Sequence, residues 1–302
     1  MTSSSGRSAG ASFRAVVPGS TANLGPGFDA LGLALARRDV VELQVIEDGL
    51  KVEVVDAGAG GVADVPTDET HLVVRAIRRA CAHFDVRPPG LHLRCFNKIP
   101  HARGLGSSAA AVVSGVALGY ALAGVALDDE ALQLAAEFEG HADNAAASLL
   151  GGLVVAWCDN GRFHAERVEP STKIRPVVAI PALKSSTDAT RGLLPQHVPH
   201  ADAAHSAGRT ALSVLAMTTR PQLLLAATED RLHQEYRASA YPASSELVRT
   251  LRAHGVAATI SGAGPTVLAL TTTGILPPEC DVEGFDVAEL GVDLTGVQVA
   301  AQ

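Results

Sequence analysis

The sequence predicts an α+β chain divided into two domains. Segments of two-residue alternation and segments of helical spacing are interleaved without a regular strand–helix repeat, which argues against a doubly wound parallel sheet. The length of 302 residues fits one large domain or two of ordinary size. The texture changes after Pro170, where a strand is followed by a long polar stretch. The expected division is a flexible tail over residues 1–12, a first domain over 13–165 and a second over 166–302.

The tail is Ser, Gly and Ala with Arg7 and has no apolar signal core. Phe13–Val17 reads as a strand that stops at Pro18-Gly19, followed by a glycine-rich turn from Ser20 to Asp29 and an apolar stretch from Ala30 to Leu35. Val40–Ile46 alternates as a strand, and Lys51–Val55 is expected to pair with it across Glu47-Asp48-Gly49, a hairpin signal. After a loop from Gly58 to Asp68, His71–Phe84 has helical spacing, with Leu72, Val73, Ala76, Ile77 and Ala80 on one face. Leu91–Phe96 is a strand; it leads through a Gly-Ser loop into an uncharged helix. Asp129–Glu139 is a second helix, capped by Asp128-Asp129, and Gly151-Gly152 opens the strand Leu153–Trp157. In the second half, Val177–Ile180 is a strand and Lys184–His205 a polar loop. Helices follow at Ala207–Thr218, Pro221–Glu229 and Ser244–Ala253, and the strands Ala257–Ser261 and Thr266–Leu270 flank Gly262-Ala263-Gly264-Pro265.

Composition excludes several function classes. The net charge is −8 and aromatics make up 4% of the chain, which leaves neither a basic footprint nor stacking platforms for nucleic acid. Cys81, Cys95, Cys158 and Cys280 are scattered without zinc spacing and read as reduced thiols of a cytoplasmic protein. From Ala109 to Leu127 no residue is charged, a run long enough to span a bilayer. It is rich in Ala and Gly, carries Ser114 and ends at Asp128, Asp129 and Glu130, so it reads as a helix buried inside protein rather than in membrane.

The chemistry concentrates in Lys98-Ile99-Pro100-His101-Ala102-Arg103-Gly104-Leu105-Gly106-Ser107-Ser108. Two glycines before paired hydroxyls at a helix start leave N–H groups free at the positive end of the helix dipole, which makes an anion site. Ser107 or Ser108 can cap the helix and can also ligate phosphate or magnesium. Gly104-x-Gly106-x-x-Ala109 formally fits the dinucleotide fingerprint, but Lys98–Arg103 intervene after the strand and no acid-ended strand follows the helix. The chain has no Gly-Lys-Ser/Thr, so the Walker-A loop fails, and a helix rather than a strand follows, so the protein-kinase glycine loop fails too.

Pro100–Ala110 resembles the phosphate loop of the GHMP superfamily, small-molecule kinases acting on galactose, homoserine, mevalonate and phosphomevalonate. Pro18–Leu35, containing Ser20-Thr21-Ala22-Asn23-Leu24-Gly25-Pro26-Gly27-Phe28-Asp29, resembles the first motif of that superfamily in the form of its homoserine kinase branch, and Ser261–Thr266 is similar to the third. The same branch is suggested by His141-x-Asp143-Asn144, by Ser186–Arg191 (with Thr190 where Ala is expected) and by Asp230–Arg237 (with Glu235 where Pro is common). At the nucleotide site His71 stands where many relatives have Asn.

The resemblance implies a ribosomal-protein-S5-domain-2-like first domain, a ferredoxin-like second domain, and ATP-dependent phosphorylation of L-homoserine in threonine biosynthesis. It puts ATP on Lys98–Ser108 with His71 nearby. It puts Mg2+ on Ser108 and Glu137, with Glu139 as the alternate; in a continuing helix Glu137 and His141 face one way and Asn144 lies one turn on. Asn23, Asp29 and Asn144 hold the amino and hydroxyl ends of the acceptor, Arg191 and Arg237 its carboxylate, and Thr187 hydrogen-bonds the acceptor or the loop. Asn144, Asp29, Arg191 and Ser108 surround the reacting atoms, with Asn144 where mevalonate-type enzymes have a carboxylate. His141 is expected to be packed or hydrogen-bonded rather than a base, and His101 to face solvent. A homodimer is implied by family habit alone. The competing readings are another GHMP kinase with a mevalonate-like acceptor and a non-catalytic nucleotide-binding relative.

Overall fold

A computed structural model describes residues 9–183 and 190–302. The chain is α+β. The first sheet is built from β1 (Ser12–Ala22), β2 (Leu31–Ile46), β3 (Gly49–Asp56), β4 (Gly90–Asn97), β5 (Leu153–Asp159), β6 (Arg162–Val168) and a strand from the C-terminal end. The second sheet holds β7 (Arg175–Pro181), β8 (Ala257–Ile260), β9 (Val267–Thr271) and β10 (Phe285–Glu289) in the order β10-β7-β9-β8, all antiparallel.

Two strands run further than their local signals suggest. β1 passes through Pro18 with a register shift between Pro18 and Gly19, an irregularity at which a residue without an N–H is tolerated. β2 joins the apolar stretch and the alternating stretch into one 16-residue strand. Its first part pairs with β5 and its second with β4.

The expected hairpin between β2 and β3 does not form. β4 lies between them, antiparallel to β2 and parallel to β3, with the helix α1 (Leu72–His83) in the crossover. Burial explains the order. Leu91, Leu93 and Cys95 of β4 are all within 1% of full burial and take the interior place, whereas β3 carries Lys51, Glu53 and Asp56 and suits an edge.

α2 (Ser107–Ala123) is the uncharged helix. It packs against α1 and β1 and is buried on nearly every face, which accounts for its lack of polarity. Among the described residues no helix is long and apolar enough to cross a membrane. α3 (Asp129–Ala136) begins with Asp128 as its cap, whose carboxylate accepts from Glu130 N, and α4 (Asp143–Leu150) follows. The second half adds α5 (His200–Thr218), α6 (Leu224–Ala227), α7 (Gln234–Arg237) and α8 (Pro242–Ala253), of which α6 and α8 pack on β8. α5 starts earlier than its apolar spacing suggests, and α7, β6 and β10 are short or half-exposed elements with weak periodicity.

The last strand, β11 (Gln298–Ala301), returns to the first sheet and pairs with β1 from Phe13↔Ala301 to Val16↔Gln298. A division between residues 165 and 166 falls inside β6. One hydrophobic cluster includes Leu31, Ile99 and Val113 from the first sheet side and Val178 and Leu268 from the second, so both sheets share a core across the region where the loops meet.

Candidate active site

Where the two sheets meet, the Gly-Ser loop, the turn after β1, the start of α4 and the loop after β8 enclose a cleft of about 100 Å³. The loop is anchored as it leaves β4. Asp39 Oδ1 accepts from Lys98 N at 2.6 Å and Ile99 N at 2.8 Å, and burial pushes the Asp39 carboxyl up to about 6 against those hydrogen bonds. Gly104 and Gly106 then take φ of 73° and 69°. A Cβ would stand 2.3 Å from Ser261 O at Gly104 and 2.1 Å from Ser20 Oγ at Gly106, so both the backbone sense and the packing demand glycine. Arg103 donates to Pro181 O and Ala182 O, each at 2.8 Å, and ties the loop to the end of β7.

Neither serine caps α2. Gly106 is the capping residue, and no side chain bonds the first N–H groups. Those groups, with no acidic residue in the first turn, face the cleft as an anion site. Ser108 hydrogen-bonds the Glu139 carboxylate instead, and burial holds that carboxyl above the usual carboxylate range even so.

On the opposite wall Asn23 and Asp29 adopt φ of 70° and 55°, a left-handed backbone that Asn and Asp tolerate better than other side chains. Asn23 Nδ2 donates to Gly262 O at 3.0 Å and its Oδ1 accepts from Asp29 N at 3.1 Å. Asp29 receives both arms of the Arg191 guanidinium at 2.8 and 2.9 Å. Arg191 and Arg237 stand 5.3 and 5.4 Å from the Phe28 ring centre. Arg237 is 1% exposed yet lines the cleft, and burial depresses its pKa. Asn144 Oδ1 accepts from the buried Ser20 Oγ at 3.0 Å. His141 Nδ1 lies 2.9 Å from Asp143 Oδ1; burial lowers the imidazole pKa, but the bond to Asp143 and the charges of Asp143, Glu139 and Asp29 leave it above its ordinary value.

Behind Ser107 and Ser108 a second cavity of about 380 Å³ opens, walled by Val41, Val65, Pro66, Leu72 and Val73. His71 lines it, buried, with Nδ1 unpartnered, and burial depresses its pKa. His101 lines it too and sits 2.9 Å from Asn97 Nδ2, so it is half-buried rather than solvent-facing.

The cleft therefore brings together Asn23, Asp29, Gly104–Ser108, Asn144, Arg191 and Arg237. Lys98 is exposed, while Ile99 and Pro100 are buried beneath the loop, so these three support it and do not line the cleft. Thr187 lies outside the described residues. Arg191 is paired with Asp29 rather than presented alone.

Glu137, expected beside Ser108, stands outside the cleft. Its carboxylate bonds Arg79 at 2.9 Å and Gln133 at 3.1 Å and is 40% exposed, away from the cleft. The continuing helix does not exist: α3 stops at Ala136 and the chain turns through Gly140 at φ 77°. Glu139 and His141, not Glu137, consequently face the loop. The alternate, Glu139, is the carboxylate beside Ser108, and this pair of hard oxygen donors suits magnesium. Asp29, His141 and Asp143 also lie within 4.8 Å of one another, but Arg191 and His141 already occupy the two carboxylates. His141 and Asp143 line the cleft, and their motif was visible in sequence although their place in the wall was not. Asp39, which holds the loop, has no local signal in the sequence, and Ser20, which holds Asn144, lies in the first motif without a role that its spacing reveals.

Residues 71–152 match the GHMP kinases N terminal domain and residues 216–275 the GHMP kinases C terminal domain. The homoserine kinase structure from Cytophaga hutchinsonii superposes with a TM-score of 0.82 at 24% identity, over 96% of this chain and 97% of that one. A putative homoserine kinase from Listeria monocytogenes superposes with a TM-score of 0.75 at 30% identity, over 96% and 99%. Fold and cleft thus define a GHMP-type kinase. The homoserine kinase of Streptomyces coelicolor is 51% identical over 96% of this chain and 97% of its own, and that of Mycolicibacterium paratuberculosis 50% identical over 91% of each. The chain belongs to the homoserine kinase family of the GHMP kinases.

Proposed function

We propose that the protein transfers the γ-phosphoryl group of ATP to the side-chain hydroxyl of L-homoserine, giving O-phospho-L-homoserine by direct in-line displacement. The observation that carries this reading is that one cleft holds both the open N-terminus of α2 and the guanidinium groups of Arg191 and Arg237. A triphosphate on the loop and an amino-acid carboxylate on Arg237, with Arg191 bracing Asp29 beside it, would then lie side by side.

The backbone of Gly104–Ser108 binds the β- and γ-phosphates, and the apolar cavity beside Ser107 takes the base, next to His71. Ser108 and Glu139 would hold Mg2+, which neutralises phosphate charge when bound. Arg237 fixes the acceptor carboxylate through its planar fork. Arg191 braces Asp29, which with Asn23 receives the amino end, and Asn144, held by Ser20, orients the hydroxyl. Phosphoryl transfer through a loose transition state asks mainly for positioning and charge neutralisation, so no strong base has to act first. The proton leaves late, and Asp29 is the carboxylate beside the acceptor that takes it.

A coupled ADP-release assay with L-homoserine, mevalonate and galactose tests this. Homoserine-dependent turnover with a phosphate ester detected by 31P NMR is expected; turnover with mevalonate alone, or none with any acceptor, would overturn the assignment.

A further inference from the structure

The segment Asp230–Arg237 supplies Arg237, but the proposed reaction leaves its histidine without a role. His233 is 1% exposed and sits between two parts of the acceptor wall. Its Nε2 is 2.8 Å from Gly25 O, in the turn that follows Asn23. Its Nδ1 is 3.3 Å from an Arg237 terminal nitrogen. The ring centre is 5.3 Å from that of Phe28, the aromatic face that both arginines share.

The chemistry of the two neighbours settles the tautomer. A carbonyl oxygen only accepts, so Nε2 must carry the proton. A guanidinium only donates, so Nδ1 must present its lone pair. Only the neutral ring protonated at Nε2 satisfies both. Burial lowers the His233 pKa, the direction that keeps this form, although the nearby Asp230 carboxylate opposes it. Asp230 Oδ2 is 3.7 Å from Nε2, too far to take the hydrogen bond from Gly25.

The ring's own position is held rigidly. Asp230 organises the turn that leads into α7 by accepting from Leu232 N at 2.8 Å, His233 N at 3.1 Å and Gln234 N at 2.8 Å. Gln234 Oε1 accepts from Ile260 N at 2.6 Å and Thr259 Oγ1 at 2.9 Å, which pins the same turn to β8.

We propose that His233 is a positioning residue: its neutral ring receives Arg237 on one side and grips the Gly25 turn on the other, holding the carboxylate fork in register with Asn23 and Asp29. It touches no substrate. It sets the separation between the groups that take the acid and amino ends of the acceptor. This inference rests on Arg237 being the carboxylate-binding residue.

Steady-state kinetics of three variants test it. His233→Asn places an oxygen where Nδ1 was and can still accept from Arg237. His233→Gln places a donor where Nε2 was, so it keeps the Gly25 bond and loses the acceptor toward Arg237. Loss of a hydrogen bond to a charged group corresponds to about tenfold or more. The expected result is a KM for homoserine raised about tenfold in His233→Gln, which loses the Arg237 contact, and raised also in His233→Asn, which loses the Gly25 contact, with kcat and the KM for MgATP within about twofold in both. A purely structural histidine would instead lower the melting temperature and all kinetic parameters alike in both variants, and that result would overturn the proposal. Arg237→Lys in the same assay separates the two claims. If it leaves the homoserine KM unchanged, the carboxylate reading of Arg237 fails. If it raises that KM while His233→Gln does not, the positioning role alone fails.

Discussion

Replacing Asp39 by Asn should stabilise the protein at neutral pH without releasing the phosphate loop. Both loop hydrogen bonds, from Lys98 N and Ile99 N, end on the same carboxylate oxygen, Oδ1. An Asn side chain keeps an oxygen there, so both bonds survive. What changes is the charge. Burial raises the Asp39 carboxyl from 3.8 to about 6, so between these values the folded state holds a proton that the unfolded state has released. Stability from this group is therefore fully present below the unfolded pKa and is lost as pH rises through about 6. Each pKa unit is about 1.4 kcal/mol, so the loss reaches about 3 kcal/mol above roughly pH 7. The Asn variant cannot suffer it. Urea unfolding of both proteins at about pH 4 and pH 7.5 should show a stability gain that is small at the lower pH and approaches about 3 kcal/mol at the higher. A gain independent of pH, or destabilisation at pH 7.5, would refute the reasoning that the ionised carboxylate is the costly species.

Gly106→Ala meets both a left-handed backbone, about 1–2 kcal/mol for an L-residue, and Ser20 Oγ, which must leave Asn144. With the lost hydrogen bonds at about 0.5–1.5 kcal/mol each, kcat/KM for ATP should fall at least about 30-fold. Gly161→Ala, at φ 81° with nothing within 4 Å, carries only the backbone strain and should leave kinetics untouched. Ser108→Ala should lower kcat roughly tenfold and raise the magnesium concentration needed for half-maximal rate; a magnesium titration that superposes on that of the parent would leave Ser108 with no part in holding the ion. Arg237→Ala removes a buried cation that lines the cleft and, on the proposed function, should raise the KM for homoserine by about 30-fold or more, equivalent to roughly 2–5 kcal/mol, with MgATP binding read separately by fluorescence titration as unchanged.

The local rules of the chain were sufficient for much of this. A glycine pair before two serines and an apolar run specifies a tight loop at a helix start with uncapped N–H groups, because these are properties of a few adjacent residues. Asn23, Asp29, Asn144, Arg191 and Arg237 were legible because each sits in a short motif with its own spacing. The failures are of another kind. Helical spacing placed Glu137 with His141, but spacing says nothing about a turn at Gly140 that ends the helix first. A tight turn signal joined β2 to β3, but the partner of a strand is chosen by burial, and β4 is the more apolar.

The class of fold and most of the residues that line the cleft follow from the chain's local patterns, because these depend on neighbours along the sequence. Only the tertiary structure decided that Glu139 rather than Glu137 stands beside Ser108, that Asp29 and Arg191 hold each other, and that Asp39, Ser20 and His233 support the site from behind. Those partners lie far apart in sequence and meet through hydrogen bonds across the packed core, and no periodicity or motif encodes a contact of that kind.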